Sequence, residues 1–358
     1  MHKVSAIFTG VLAIVMVGGI AMIVGCQRDQ GPVGATGPAG ANGADGTAAC
    51  GVCHSVSTEV LAKQIQWNAS FHATGGHFRQ NAVGCSPCHT SEGFRATLDK
   101  GTMEAAPALI NNPTPPNCRT CHNIHQKYDL TDYNFSTTKP VKLMISSTGA
   151  TTDFKEGNLC ANCHQPRLTT TSPLPLLNSA DMTLAANWGS QMATQAVILR
   201  GTGSGAFEIP GTAAYINSPH GTQVTNGCVG CHMAAVRGNQ AGGHTFKVTY
   251  LSSDGITEND YVAGCVACHT SLKSGVGAFD VNKVQTDVDA LIAQLKALLV
   301  TAKMLDATAD RGLAGTFPAN KVGILMNYKL ITTDKSHGVH NAKYVKALLS
   351  NSIDYMKK

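Results

Sequence analysis

The hydrophobic pattern of the chain changes character along its length. From Val4 to Val24 apolar residues run almost unbroken behind Lys3, with only Ser5, Thr9 and small glycines among them. Such a run reads as an export signal, and it is also long enough to span a bilayer uncleaved. From Gly31 to Gly46 a glycine then stands at every third position. After residue 270 the periodicity becomes helical: Val281, Val284, Val288, Leu291, Leu295, Leu298, Ala302 and Leu305 alternate spacings of three and four, and Ile292 and Leu299 broaden the stripe. That heptad seam predicts a long helix. A second helix is predicted from about Asn341 to Met356, carrying Val345, Leu348, Leu349, Ile353 and Met356, with Gly312, Gly315 and Pro318 marking the break between the two. The pair either closes the preceding domain or serves self-association.

Composition qualifies this picture. Aromatic residues make up 6% of the 358, with two Trp, a thin supply for a conventional core. Cysteine is the informative residue: of thirteen, twelve fall into six Cys-x-x-Cys-His units. These are Cys50-Cys53-His54, Cys85-Cys88-His89, Cys118-Cys121-His122, Cys160-Cys163-His164, Cys228-Cys231-His232 and Cys265-Cys268-His269. Two thiols three positions apart can each form a thioether to one vinyl group of a porphyrin, and the imidazole that follows can bind the iron from below. Paired cysteines also suit zinc or disulfides, but neither use explains a histidine after every pair. With His at 14 of 358 positions, six such placements by chance are on the order of one in a hundred million. The sequence therefore predicts six covalently attached c-type haems, with the motif histidines as proximal ligands. The fold expected is mainly α with few or no strands, packed around haems that serve as its core, and closed by the C-terminal pair of long helices.

The haems alter the charge argument. The formal charge is +5, but twelve haem propionates would bring the loaded protein to about −7. Nucleic acid is therefore not an expected partner.

The thirteenth cysteine is Cys26. Ile23-Val24-Gly25-Cys26 resembles the bacterial lipobox, in which small residues admit the signal peptidase and the cysteine is acylated. Several acyl chains on one residue give stable anchoring, and the resemblance, with Gln27 rather than Asp after the cysteine, implies the outer membrane of a Gram-negative cell. The glycine triplets are collagen-like. Five of them do not make a stable triple helix, and a semi-extended stalk is the plainer use. The expected organisation is a lipoprotein signal peptide over 1–25, lipidated Cys26 and stalk over 26–49, a hexahaem domain over 50–270 and a C-terminal helical segment over 271–358.

The first four motifs start 33 to 42 residues apart, a small repeat that should bring porphyrins near van der Waals contact. The sixth iron ligand then decides function. Outside the motifs, and leaving aside His2, stand His72, His77, His125, His220, His244, His337 and His340. Their surroundings suit ligation: His72 and His77 flank Gly75-Gly76, His125 lies three residues past His122, His220 follows Ser218-Pro219, and His244 follows Gly242-Gly243. Flexible backbone beside a ligand helps it reach a metal.

The run Cys118 to His125, the stretch Ser218 to Phe246 and Asp334-Lys335-Ser336-His337-Gly338-Val339-His340-Asn341 together resemble the superfamily of multihaem cytochromes c that includes pentahaem nitrite reductase and the octahaem hydroxylamine and tetrathionate enzymes. The resemblance runs from about Cys50 to the C-terminus. It implies that His340, opening a C-terminal helix, is a distal ligand, which makes His337 the spare and leaves His72, His77, His125, His220, His244 and His340 as the distal set. It also implies possible homo-oligomers through the C-terminal helices. The nitrite reductase pattern carries one Cys-x-x-Cys-Lys motif, whereas all six motifs here end in His, so scaffold and ligation are what the resemblance transfers. Between His164 and Cys228 lies a haem-free interval, expected as an exposed loop over a haem edge. Its Gly201-Thr202-Gly203-Ser204-Gly205 lacks the strand-to-helix frame of a nucleotide loop.

The functional expectation is an electron carrier with no catalytic residue, passing charge between redox proteins at the cell envelope, on the periplasmic or outer face. An oxidoreductase of small nitrogen or sulfur oxyanions with one open haem is the alternative, and a subunit of a cytochrome filament is a third.

Overall fold

The structure is a computed structural model that describes residues 58–100, 103, 105–146, 148–166, 174–189 and 193–358, all within one unit spanning 46–358. The export run, Cys26, the glycine triplets and the motif Cys50-Cys53-His54 lie outside the described residues.

Helices dominate, and most are single turns. In order they are α1 (Thr58–Asn68), α2 (Phe71–Thr74), α3 (Ser86–His89), α4 (Ser91–Lys100), α5 (Cys118–Cys121), α6 (Asn158–Ala161), α7 (Gln195–Arg200), α8 (His220–Gln223), α9 (Cys228–His232), α10 (Val284–Thr301), α11 (Ala319–Asp334) and α12 (Ala342–Met356). Six strands of two or three residues form three antiparallel pairs: β1 (Val141–Lys142) with β2 (Thr151–Thr152), β3 (Met182–Leu184) with β6 (Gly315–Phe317), and β4 (Thr249–Leu251) with β5 (Glu258–Asp260). One-turn helices and two-residue strands have no stability of their own. Their positions are set by what they pack on.

A substantial part of that packing is conventional protein core, contrary to the expectation that haems would supply it. Leu143, Ile145, Leu184, Trp188, Phe207 and Ile209 are buried in one apolar cluster with residues of α7, α10, α11 and α12. Among its described residues the haem-free interval is accordingly an exposed loop only in part. Ala196 to Leu199 in α7 are four consecutive buried residues, and Ser204, within the glycine-rich stretch, is fully buried. Strand β3 pairs with β6, which ties the interval to the C-terminal helices, Met182 opposite Phe317 and Leu184 opposite Gly315.

The expected C-terminal pair of helices is a trio. α10 and α12 follow the two predicted stripes: Val288, Leu295 and Leu299 are buried on one, Val345, Leu348, Leu349 and Ile353 on the other, joined by Tyr344, and α10 packs along α12. Ala302 and Leu305 fall beyond the last residue of α10. α11 escapes periodicity analysis because it is enclosed on every side. Val322, Ile324, Leu325, Met326, Tyr328, Leu330 and Ile331 are all buried, and so are Asn320, Asn327 and Lys329. A helix apolar all round shows no stripe.

The polar residues of α11 are satisfied. Asn327 clamps the Phe207 backbone, accepting from its N–H at 2.9 Å and donating to its carbonyl at 2.7 Å, while Lys329 donates to the Asp310 carbonyl at 2.7 Å. The clamp leaves Phe207 no retreat from Gly323, where a Cβ would lie 2.2 Å from the ring carbon Cγ. Gly323→Ala is therefore expected to cost about 1–3 kcal/mol, the usual penalty of overpacking. A urea midpoint equal to that of the parent protein would refute this. Among the described residues no helix is long and apolar enough to cross a membrane.

Candidate haem-ligating sites

Four of the five described motifs overlap a short helix, and Cys265–His269 is a turn closed in the same way. The amide of the motif histidine donates to the carbonyl of the first cysteine in four of them: His89 to Cys85 at 3.3 Å, His122 to Cys118 at 2.8 Å, His164 to Cys160 at 2.9 Å and His269 to Cys265 at 2.8 Å. The fifth, Cys228–His232, is itself α9. A helical turn puts residues i, i+3 and i+4 on one side, so both sulfurs and the imidazole face the same way. The Cys118 turn is held by a capping box, with Asn117 accepting from the Arg119 amide at 3.0 Å and Thr120 Oγ1 accepting from the Asn117 amide at 2.8 Å.

The site geometry is a set of imidazole pairs. Every described motif histidine has a second histidine ring opposite it: His89 with His77 at 5.9 Å between centroids, His122 with His244 at 6.2 Å, His164 with His72 at 6.1 Å, His232 with His340 at 6.4 Å and His269 with His220 at 6.1 Å. A metal–imidazole bond of about 2.0 Å and a ring radius of about 1.2 Å put two rings on opposite sides of one metal ion about 6.4 Å apart. The five separations fit that requirement. Among the described residues no three His, Cys, Asp or Glu side chains converge as a metal cage would need.

The outer nitrogen of several rings is already committed. Nδ1 donates to a backbone carbonyl in His122 (Tyr133, 2.6 Å), His220 (Val339, 2.6 Å) and His232 (Phe246, 2.9 Å), to the side-chain oxygen of Gln195 in His164 (3.3 Å), and to the Asp334 carboxylate in His340 (2.8 Å). A carbonyl can only accept, so Nδ1 carries the proton and Nε2 presents its lone pair. This is how metal-binding histidines are oriented. Burial pushes His72 down to about 4, helped by His164 and His232 nearby, and burial likewise lowers His89, His122, His164, His232 and His244. Neutral imidazole is the form that binds metals. In His340 burial acts downward as well, but the charge and hydrogen bond of Asp334 outweigh it and hold the ring above its usual value.

The motifs also touch one another. A hydrogen bond with Cys88 and burial push the Cys163 thiol well up, and a hydrogen bond with Cys160 and burial do the same to Cys228. Burial raises Cys121 to about 12 and Cys265 to about 11. Glycine permits the closest approaches: a Cβ on Gly157 would lie 2.9 Å from the Cys228 amide nitrogen, and one on Gly264 would lie 2.8 Å from the Cys231 Cα. The motif at Cys160 thus borders those at Cys85 and Cys228, and the motif at Cys228 borders that at Cys265.

Of the residues singled out in the sequence, His72, His77, His220, His244 and His340 each face a motif ring. His125 has a positive φ of 60° and stacks on Tyr128 at 5.6 Å, while His54, Cys50 and Cys53 lie outside the described residues. His337 is exposed and donates to Asp289 at 2.6 Å. Three contributors escaped the sequence reading. Gln195 orients His164, and its amide donates to the carbonyls of Thr333 and Asp334 at 3.3 and 3.4 Å. Phe246 packs edge-on against His72 at 5.0 Å and His244 at 6.2 Å while its carbonyl holds His232, all from a left-handed backbone with φ of 57°. Such a conformation is unfavourable for a bulky residue and persists where contacts over-determine it. Asp334 is the third. The glycines around His244 hinted at the left-handed turn, but nothing in the sequence marked these partners.

No protein-family model matches the chain, and no curated protein sequence matches it. Two solved structures resemble it. One is the outer cell wall cytochrome OcwA, with a TM-score of 0.49 and 20% identity over 83% of this chain and 50% of that one. The other is an undecahaem cytochrome from the S-layer of Carboxydothermus ferrireducens, with a TM-score of 0.43 and 20% identity over 83% of this chain and 40% of that one. The present chain therefore spans half or less of the length of either similar protein.

Proposed function

We propose that the chain is a multihaem c-type cytochrome that carries electrons along six covalently attached haems, each iron held between two imidazoles. The observation that carries this reading is the set of five histidine pairs at 5.9 to 6.4 Å, each joining a Cys-x-x-Cys-His histidine to one from elsewhere in the chain. His77, His244, His72, His340 and His220 are then the distal ligands opposite His89, His122, His164, His232 and His269. His125 is the remaining candidate of the predicted distal set.

Bound haem supplies one-electron iron chemistry, and ligation by two histidines without methionine keeps it at lower potential than His/Met ligation would. The chain's own residues do the rest. The cysteines fix position, the Nδ1 partners fix ring orientation, and the contacts between motifs keep neighbouring sites close enough for electrons to pass. The paired imidazoles would hold a haem iron from both sides and leave no position for a substrate, which favours a carrier between redox proteins over a catalyst. Export and acylation at Cys26 belong to the same proposal, with the glycine triplets as a spacer from the outer membrane.

Low-temperature EPR of the oxidised, haem-loaded protein tests the reading. Six low-spin ferric haems are expected. A high-spin signal equal to one iron per chain would instead indicate an open site and the reductase alternative. Mass measurement of the mature N-terminus tests the anchor, which an unmodified Cys26 would rule out.

A further inference from the structure

Asp334 is the last residue of α11 and is almost fully buried, its side chain 2% exposed. Among the described residues no Lys or Arg forms an ion pair with it. One oxygen accepts from His340 Nδ1 at 2.8 Å, and the other accepts from Ser336 Oγ. Ser336 Oγ in turn accepts from the His340 amide at 3.2 Å, which locks carboxylate and imidazole into one small ring of contacts. The other imidazoles of the pairs with an identified Nδ1 partner donate to neutral oxygens, those of Tyr133, Val339, Phe246 and Gln195. His337 also meets a carboxylate, Asp289, but both are about half exposed and His337 faces no described motif ring. Among the described pairs, a buried full negative charge against an outer nitrogen distinguishes His232 and His340.

Resting on the bis-histidine reading, we propose that Asp334 is a positioning and tuning residue that lowers the reduction potential of the haem held by His232 and His340. A hydrogen bond to a carboxylate makes the imidazole a stronger electron donor than one to a carbonyl does. Through His340 the carboxylate favours the more positive, oxidised iron, and low local dielectric keeps that charge effective. With haem bound, His232 and His340 would hold an iron that exchanges a single electron with a redox partner. The proton stays between Nδ1 and Asp334, and no bond to the metal is made or broken. A low-potential site among neighbours of higher potential would shape the direction in which charge settles along the chain.

The test is spectroelectrochemical titration of the loaded protein with four variants. Asp334→Asn is expected to raise one haem potential by about 59 mV, a tenfold loss of preference for the oxidised state in a one-electron couple. Ser336→Ala strips a competing hydrogen bond from the carboxylate and is expected to move the same haem downward. It also answers the question if Asp334→Asn fails to accumulate. Asp289→Asn, beside the unpaired His337, should move none. His340→Ala separates the inference from the reading beneath it: a high-spin signal of one iron upholds ligation by His340. With that signal present, an unmoved potential in Asp334→Asn, or in Ser336→Ala where the first cannot be made, overturns the role of Asp334. With no spin change in His340→Ala, the ligation itself is wrong and the proposal falls with it.

Discussion

Replacing His72 with alanine is expected to convert one haem of the oxidised, loaded protein from low spin to high spin and to give the reduced protein one carbon monoxide site per chain. His72 comes from the single turn α2 and faces His164, far along the chain, at 6.1 Å. It is held neutral by burial and flanked edge-on by Phe246 at 5.0 Å. No other described histidine can replace it, because His77, His220, His244 and His340 face other motif rings, His125 stacks on Tyr128 and His337 is turned to Asp289. His337→Ala is the matched control and should leave every haem low spin. A His72→Ala protein that stays entirely low spin and binds no carbon monoxide would overturn the assigned pairing.

The second large effect is expected from Cys160→Ala with Cys163→Ala. This motif lies between others, with Cys163 against the Pro87 carbonyl at 3.8 Å and hydrogen-bonded to Cys88, and Cys160 against Cys228. Its turn is seated in buried structure: Asn158 is fully buried, accepts from the Phe154 amide at 2.7 Å and donates to the Thr138 carbonyl and to Asp153, each at 2.9 Å. Losing covalent attachment here removes a large apolar group from the middle of the packing, so the cost should exceed about 4–5 kcal/mol, the range reached when a core element or metal centre is lost. The same double change at Cys265 and Cys268, where Cys268 is exposed, should cost distinctly less. Guanidinium midpoints of the two proteins decide the matter, and equal midpoints would contradict the ordering.

What the sequence made legible follows from what each feature depends on. The Cys-x-x-Cys-His units are local, since one helical turn fixes their geometry, and the amphipathic stripes of α10 and α12 are local for the same reason. The pairing of imidazoles is not local. The ring facing His122 is His244, more than a hundred residues away, and nothing in the spacing of the motifs marks that partner. α11 was invisible because a helix enclosed on all sides has no polar face to betray its period. The interval around α7 was misread because Thr, Pro and Gly suggested exposure, whereas Val197, Ile198 and Leu199 and the pairing of β3 with β6 carry it into the core. Low aromatic content pointed to a core made of cofactor, but the aliphatic residues of α7, α10, α11 and α12 build an ordinary one beside it.

The crossing of the histidine pairs dictates an order of assembly. Synthesis proceeds from the N-terminus, so the ring of His72 emerges long before that of His164, His122 long before His244, and His232 long before His340. Irons captured early would wait, gripped from one side, until distant sequence arrived to close them. Residues 334–341 finish the job in more than one place: His340 completes its own pair, the Val339 carbonyl steadies His220, and the Asp334 carbonyl helps to seat Gln195 behind His164. A ribosome that stalled just short of this segment would release a nascent chain with every thioether attachment site present and three irons insecurely held, a product that a count of bound porphyrin would pass and a spin measurement would catch.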